Sequence, residues 1–168
     1  MDKVIEGMKE NGAEVSRYCL GITNIKYCIG CKTCYNTGEC FQNDDMDRII
    51  QDLVESDIVV IGSPSYWGDI TGQLKVFFDR NTPYSNTNSN STFKNKVRNG
   101  LSIAIRTGNN KEENIHIIKT IEHYFGHMGI KPFASLSVCG VTVLDDILEK
   151  KDVLNKAYEL GVKITKEI

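Results

Sequence analysis

The feature that most constrains the fold is the apolar run DIVVIGS, residues 57–63, which leads into Gly-Ser-Pro. A continuous apolar run of this length is typical of a parallel strand that is buried on both faces of a sheet. A half-exposed strand would alternate apolar and polar residues instead. The run therefore predicts an α/β fold built around a buried parallel sheet.

Strand-like and helix-like segments alternate along the chain. The patterns predict strands at residues 13–20, 57–63, 100–106 and 132–139, and helices at 2–10, 46–54, 69–79, 111–127 and 151–167. This alternation predicts a three-layer, doubly wound parallel sheet with helices on both faces and right-handed crossovers. Residues 81–96 are rich in Asn, Ser and Thr and have no apolar period, so they predict a mobile surface excursion.

Composition limits the classes of partner. The 168 residues are close to the usual size of one domain, so we expect a single domain over residues 1–168. With 20 basic against 22 acidic residues, the chain lacks the basic surface of a nucleic-acid or anionic-membrane binder. We find neither an apolar run of membrane-helix length nor a signal peptide, and therefore expect a cytoplasmic protein without nucleic-acid or membrane partners.

Four of the six cysteines crowd into thirteen positions with the spacing C-x2-C-x2-C-x5-C: Cys28, Cys31, Cys34 and Cys40. In a reducing compartment such a cluster favours a metal or redox site over disulfides. Its first three cysteines resemble the start of the bacterial ferredoxin ligand run, whereas zinc sites more often use two separated pairs. The spacing favours an iron-sulfur cluster and leaves zinc and uncoordinated redox thiols open. Cys19 and Cys139 are predicted to be small buried apolar residues.

Two further loops are predicted to lie with the cysteine loop at the carboxyl ends of the strands, where doubly wound sheets bind ligands. The segment GSPSYWGDITG, residues 62–72, places Tyr66 and Trp67 where polar residues are usual, and either ring could stack on a planar ligand. Alternatively, the two aromatics cap the core or form a subunit interface. The segment RTGNN, residues 106–110, offers backbone amides to carbonyl or phosphate oxygens.

Histidines are the remaining candidates for chemistry. His116, His123 and His127 fall on one predicted helix, and the last two are spaced i to i+4. Without an acidic partner in the pattern, they are more typical of a solvated helix surface than of a metal site. No catalytic acid or base is predicted.

The order of these motifs resembles the NADPH-dependent FMN reductase group of flavodoxin-like proteins, and more narrowly the iron-sulfur flavoproteins within it. The segments that carry the resemblance are CIGCKTC, GSPSYWG, FFDR and TGNN, and the similarity spans essentially the whole chain. It implies a flavodoxin-like fold of strand order 2-1-3-4-5, with FMN at the sheet edge close to a 4Fe-4S cluster.

The resemblance also implies particular ligands. The cluster ligands would be the four clustered cysteines, with zinc as the alternative metal, and the FMN contacts would be Ser63, Pro64, Ser65, Tyr66, Trp67, Gly68, Thr107, Gly108, Asn109 and Asn110. The implied activity is that of an FMN-dependent oxidoreductase or electron-transfer protein that takes electrons from NAD(P)H or ferredoxin. A homodimer or homotetramer is implied as well. The alternative is a cysteine-metal binding or redox-sensing module without flavin turnover.

One departure from the family pattern concerns the start of the chain. Members of the group begin with a strand and a loop rich in Gly and Ser that wraps the FMN phosphate, whereas this sequence begins within the helix that follows. We therefore expect a domain that is incomplete at its N-terminus and lacks the usual first strand, with FMN binding weakened or lost. Residues 13–20 would then pair directly with residues 57–62 or detach from the sheet.

Overall fold

Three parallel strands form the centre of the molecule. In this computed structural model, which describes residues 1–91, 93 and 96–167, they are β1 (Ile58–Pro64), β2 (Arg98–Ile105) and β3 (Ile130–Val138). The strands lie side by side in the order β1-β2-β3, and both pairings are parallel. The buried strand predicted from the apolar run is confirmed, and so are the two strands predicted after it.

Helices and short 3-10 turns connect and flank these strands in the described part of the chain. They are α1 (Asp2–Glu10), α2 (Thr33–Thr37), α3 (Met46–Glu55), α4 (Gly72–Arg80), α5 (Lys111–Met128) and α6 (Lys151–Lys166), with 3-10 turns at Thr82–Tyr84 and Leu144–Ile147. The five helices predicted from periodicity are confirmed, and α2 was not predicted. Among the described residues, no helix combines the length and apolar character that crossing a lipid bilayer requires.

The sheet is covered on both faces. Helices α3, α4 and α5 pack on one face, where the strands contribute Val59, Ile61 and Ala104 to the core. Helices α1 and α6 pack on the other face against Leu101, Ile103, Leu136 and Val138. These two apolar layers confirm the predicted three-layer α/β class.

Helices α1 and α6 cross at a pair of glycines. A Cβ atom on Gly7 would lie 2.3 Å from the carbonyl oxygen of Tyr158, and one on Gly161 would lie 2.1 Å from that of Val4. Both distances are far below van der Waals contact, so the two backbones touch directly. This crossing fixes the layer on the second face of the sheet.

The prediction of a strand at residues 13–20 is wrong. Among the described residues, this segment pairs with none of the three strands and has no regular structure. Instead, Val15 packs on one core layer and Tyr18 on the other. Alternating side chains specify which face is apolar, but a strand also needs a neighbouring strand to receive its hydrogen bonds. Of the two outcomes expected for this segment, pairing with β1 is not observed.

The excursion predicted at residues 81–96 is only partly a surface segment. Asn81, Asn88 and Phe93 are buried, and the guanidinium of Arg98 lies 3.8 Å from the centre of the Phe93 ring. Thr92, Lys94 and Asn95 lie outside the described residues. The apolar period is missing because asparagine side chains, rather than an apolar face, anchor this segment.

Candidate functional site

The loop after β1 is a tight turn that displays a tryptophan. Tyr66 and Asp69 exchange two backbone hydrogen bonds of 3.0 and 3.1 Å, and the residues between them, Trp67 and Gly68, have φ angles of 56° and 80°. Two successive positive φ values between such partners correspond to a type I′ turn. Tyr66 is 61% exposed and Trp67 is fully exposed, so the alternative in which these aromatics cap the core is wrong.

A polar network fixes the base of this turn. The amide of Ser65 donates to the carbonyl of Ile105 at 2.8 Å, which extends the pairing of β1 with β2. The buried hydroxyl of Ser63 accepts from the amide of Thr71 and donates to the carbonyl of Pro64. Thr71 in turn caps α4, which therefore begins at Gly72 and not at residue 69. The turn is thus anchored at both ends.

Glu113, in the first turn of α5, connects the loop after β2 to the base of this turn, and the sequence analysis missed this contact. The guanidinium of Arg106 lies 2.8 Å from the carboxylate of Glu113, which also accepts a hydrogen bond from the Ser65 hydroxyl at 3.3 Å. Arg106 also donates to the carbonyl of Asn110. Arg106 directly precedes TGNN and Glu113 follows it closely, so their position beside this motif could have identified them from the sequence.

The predicted FMN residues come together at one edge of the sheet. Pro64 and Ile105 are opposed across β1 and β2, so the loops that follow them, residues 63–68 and 107–110, leave the sheet side by side. Below them Asn114 is fully buried and donates to the carbonyl of Val138 and the hydroxyl of Ser137, which ties α5 to β3. Two rigidly held loops with exposed polar and aromatic groups therefore border this edge.

The cysteine loop has a stem of two chain segments, residues 24–27 and 42–45. The backbone amide of Asn24 donates to the carboxylate of Asp45, and the backbone amide of Asp45 donates to the carbonyl of Asn24. Closer to the cysteines, the backbone amide of Lys26 donates to the carboxylate of Asp44. The side-chain amide of Gln42 donates to the carbonyl of Tyr27. This stem brings the ends of the loop together and holds all four clustered cysteines in one short excursion.

The charged pair beneath the stem is buried. The guanidinium of Arg80, at the end of α4, lies 2.6 Å from the carboxylate of Asp44, and their side chains are 1% and 0% exposed. Burial alone would raise the pKa of Asp44, but hydrogen bonds from Arg80 and from the amides of Lys26 and Met46 outweigh it and lower that pKa. The pair therefore stays ionised at neutral pH.

The four cysteines of the loop share one electrostatic environment. Burial raises the pKa of the Cys34 thiol, and negative charge on Cys40, Cys31 and Cys28 raises it further. Hydrogen bonds from Thr33 lower the pKa of Cys31, which is exposed together with Cys28. The structure holds the four predicted ligands in one loop, but no three His, Cys, Asp or Glu side chains in its described part converge closely enough to hold a single metal ion.

Asparagines of the 81–91 segment clamp the short helix that carries Cys34. Asn88, which is buried, donates to the carbonyl of Cys34 at 3.2 Å, and Asn90 donates to that of Tyr35 at 2.8 Å. Lys32, just before the helix, is a non-glycine residue with a φ of 62°. No hydrogen bond within the described residues joins this loop to the Tyr66–Asp69 turn.

The two cysteines outside the cysteine loop are less buried than predicted. Cys19 is exposed and Cys139 is half-buried, so the prediction of two buried apolar cysteines is wrong. Cys19 lies in the irregular segment that was mistaken for a strand. The three histidines are on the surface of α5 as predicted, and the Nε2 atoms of His123 and His127 are 3.2 Å apart.

Comparison with known proteins decides the family of this chain. The sequence profile of the NADPH-dependent FMN reductase family matches residues 1–138. The chain belongs to this family. That membership places it among the FMN-dependent oxidoreductases, as the motifs predicted.

Two archaeal relatives of this family member are described as iron-sulfur flavoproteins. One, from Archaeoglobus fulgidus, is 34% identical over 164 residues, which are 98% of this chain and 70% of that protein. The other, from Methanocaldococcus jannaschii, is 29% identical over 172 residues, covering 99% of this chain and 86% of the relative.

The fold of this family member is also found among solved structures. An NAD(P)H:quinone oxidoreductase from Methanothermobacter marburgensis superposes with a TM-score of 0.70 at 16% identity, over 96% of this chain and 84% of that one. At this identity the likeness concerns the fold alone, and it agrees with the flavodoxin-like class.

Proposed function

We propose that the chain is an iron-sulfur flavoprotein that passes electrons from NAD(P)H or ferredoxin to an acceptor. FMN would lie at the sheet edge, and a 4Fe-4S cluster would lie in the cysteine loop. The observation that carries the proposal is the presence, in one chain of the FMN reductase family, of four cysteines within thirteen positions of one loop on a braced stem. When bound, FMN exchanges one or two electrons and the cluster exchanges one, which couples a two-electron donor to a one-electron acceptor.

The sheet-edge loops fit a flat, polar ligand. The turn at Tyr66 and Trp67 presents exposed aromatic faces for stacking on a planar ring. The second loop contributes exposed polar residues, Thr107, Asn109 and Asn110, to hydrogen bonding with ring carbonyls or the ribityl hydroxyls. Ser63, Pro64, Ser65, Gly68 and Gly108 complete the proposed FMN contacts. Because Ser65 is anchored to Ile105, the two loops would orient the ligand without rearranging.

The cysteine loop fits a soft metal centre by its donor set. Thiolates select iron-sulfur clusters and zinc over hard cations. Cys28 and Cys31 are exposed, and Cys34 and Cys40 are partly exposed. The stem and the asparagine clamp limit the freedom of the loop before any metal binds.

We propose further that the chain acts as a homodimer or homotetramer. Large apolar side chains surround the cysteines, and Tyr27, Ile29 and Phe41 are all exposed. An exposed apolar group of this kind is typical of a surface that a partner covers. Sedimentation of the cofactor-loaded protein would distinguish these assemblies from a monomer.

The test is an anaerobic purification followed by a visible spectrum and by iron, sulfide, zinc and FMN analysis. We expect two flavin bands over a broad iron-sulfur absorption, with four irons and one FMN per chain. Cys34→Ser should remove most of the iron, while Cys19→Ser, an exposed cysteine outside the loop, should retain it.

Other results would favour the alternative. A colourless protein that holds zinc through the same cysteines, with no flavin, would be a cysteine-metal module without flavin turnover. A protein with flavin but no metal at the four cysteines would leave an FMN oxidoreductase with free thiols. Equal iron in the Cys34→Ser and Cys19→Ser variants would contradict the assignment of the cluster ligands.

A further inference from the structure

His123 and His127 bring two ring nitrogens together on the surface of α5. Their Nε2 atoms are 3.2 Å apart, and the two rings are close to perpendicular, with an interplanar angle of 82°. The residues are four positions apart, so they lie one above the other on the same face of the helix. Both residues are exposed to solvent. The pair is therefore open to a ligand that binds both nitrogens at once.

The separation of the two nitrogens matches that of a metal chelate. Histidine nitrogens bind Zn²⁺ at about 2.0–2.1 Å, which places two of them about 3.3 Å apart at a tetrahedral angle and about 2.9 Å apart at an octahedral one. The observed 3.2 Å lies between these values. Two histidines at this spacing on one helix face are also the ligands of helical zinc sites.

The backbone that carries the pair is held in place. The backbone amide of Asn86 donates to the carbonyl of His127 at 2.8 Å, and its side-chain amide donates to that of Gly126 at 3.0 Å. Between the two histidines, Tyr124 and Phe125 are buried in the core. Only the rotamers of the two rings remain to be fixed when both bind one ion, which keeps the entropic cost of binding small.

The space and the field around the pair suit a cation. Gly126 follows His123 by three residues on the same helix face, and a Cβ atom on it would meet nothing within 4 Å. Water molecules therefore have room at the remaining coordination positions of a bound ion. His127 lies in the last turn of α5, where the helix dipole places partial negative charge.

Two features limit what such a site can do. Within the described part of the chain, no third His, Cys, Asp or Glu side chain joins the pair to form a metal-binding group. The residue after His123 is the buried Tyr124, whereas hydrolytic zinc helices carry a glutamate there as the general base. The pair therefore provides ligands without a base. Imidazole ligands favour Zn²⁺, Ni²⁺ and Cu²⁺ over hard cations such as Mg²⁺.

We propose that His123 and His127 form a surface chelate for a divalent transition-metal ion of this class, bound through both Nε2 atoms, with water completing its coordination. Without a metal, the 3.2 Å distance fits a hydrogen bond in which one Nε2–H donates to the other Nε2. Metal binding needs both rings as the tautomer with the proton on Nδ1, so that both Nε2 lone pairs face the ion. The site uses none of the residues assigned to FMN or to the cluster, so it stands independently of the proposed function.

The test is equilibrium dialysis of the natural chain, His123→Gln, His127→Gln and His116→Gln against NiCl₂, followed by elemental analysis. His116 is the matched control, because it is an exposed histidine of the same helix outside the pair. All four proteins contain the same six cysteines, so nickel held by thiols is common to them. The natural chain and His116→Gln should bind one more nickel ion per chain than the pair variants, since losing one arm of a chelate weakens binding more than about tenfold.

A second measurement follows the effect of the ion on the fold. A chelated ion ties together the last turns of α5, so saturating NiCl₂ should raise the urea midpoint of the natural chain and of His116→Gln. MgCl₂ at the same concentration should leave both midpoints unchanged. Without metal, the midpoints of all four proteins should agree, because the substituted side chains are exposed.

The outcomes separate a chelate from unspecific binding. Loss of the additional nickel and of the stabilisation in both pair variants, with both retained in His116→Gln, supports the proposal. Equal nickel in all four proteins would overturn it and assign the nickel to other groups, such as the thiols. Loss in only one of the pair variants would overturn it as well, because a single ring would then be the ligand. None of these results depends on whether the cysteines carry a cluster.

Discussion

Tyr66 and Asp69 donate to each other's carbonyl oxygens at 3.0 and 3.1 Å, and this reciprocal pairing holds Trp67 in the left-handed region at a φ of 56°. A bulky residue in that region costs about 1–2 kcal/mol. The ring gains nothing from burial in return, because Trp67 is fully exposed. The turn displays an aromatic side chain at the sheet edge, where we propose that FMN binds.

Trp67→Asn should stabilise the fold and weaken FMN binding. Asn-Gly is the preferred central pair of a type I′ turn, so the free energy of unfolding in urea should rise by about 1 kcal/mol. Loss of the stacking ring should weaken FMN binding about tenfold in a fluorescence titration. Trp67→Phe should retain most of the affinity. Equal FMN affinity in the Asn and Phe variants would show that the ring does not contact the flavin.

The glycine crossing of α1 and α6 predicts opposite effects for two chemically identical substitutions. Gly161→Ala places a Cβ 2.1 Å from the carbonyl oxygen of Val4 and should lower the free energy of unfolding by about 2–3 kcal/mol. Gly126→Ala, on α5, meets nothing within 4 Å and should raise it by about 0.5–1 kcal/mol. Urea unfolding of both variants measures the difference, and effects of the same sign would contradict the close crossing.

The asparagine clamp predicts a local change in thiol accessibility. Asn88→Ala removes the donor to the Cys34 carbonyl, so Cys34 in the metal-free protein should be alkylated several-fold faster. Asn86→Ala is the matched control, because Asn86 bonds to the carbonyl of Gly126 on α5 and not to the cysteine loop. Peptide mass spectrometry after timed exposure to iodoacetamide gives both rates. A similar increase in both variants would indicate general loosening of the segment.

The Asp44–Arg80 pair predicts an acid-sensitive contribution to stability. Since the pKa of Asp44 is lower in the folded chain than its ordinary value, its stabilisation is complete above that ordinary value, about pH 4. It is lost as the pH falls further, toward the lowered pKa of the folded state. The difference in urea midpoint between the natural chain and Asp44→Asn should therefore be constant from pH 7 to 5 and shrink below pH 4. A difference that grows on acidification would reverse the sign of this coupling.

Local patterns predicted the parts of the fold that depend on short-range chemistry. The apolar run of β1 and the periodic faces of the helices determine their own secondary structure, because burial of an apolar face is encoded within each segment. The segment at residues 13–20 shows the limit of this reasoning. Its alternation predicts a strand with one exposed face, whereas Val15 and Tyr18 pack on different core layers, and a strand requires a neighbour that the pattern does not contain.

Spacing along the chain was enough to predict the α/β class, the five helices other than α2, the cysteine cluster and the loops at the sheet edge. Only the tertiary structure decided that Arg80 reaches under the cysteine stem, that Asn88 holds Cys34 and that Glu113 joins Arg106 to Ser65. These contacts link residues far apart in sequence. The hydrogen-bond partner of a buried charge or amide depends on how whole helices and strands pack together, and a local sequence pattern does not specify that packing.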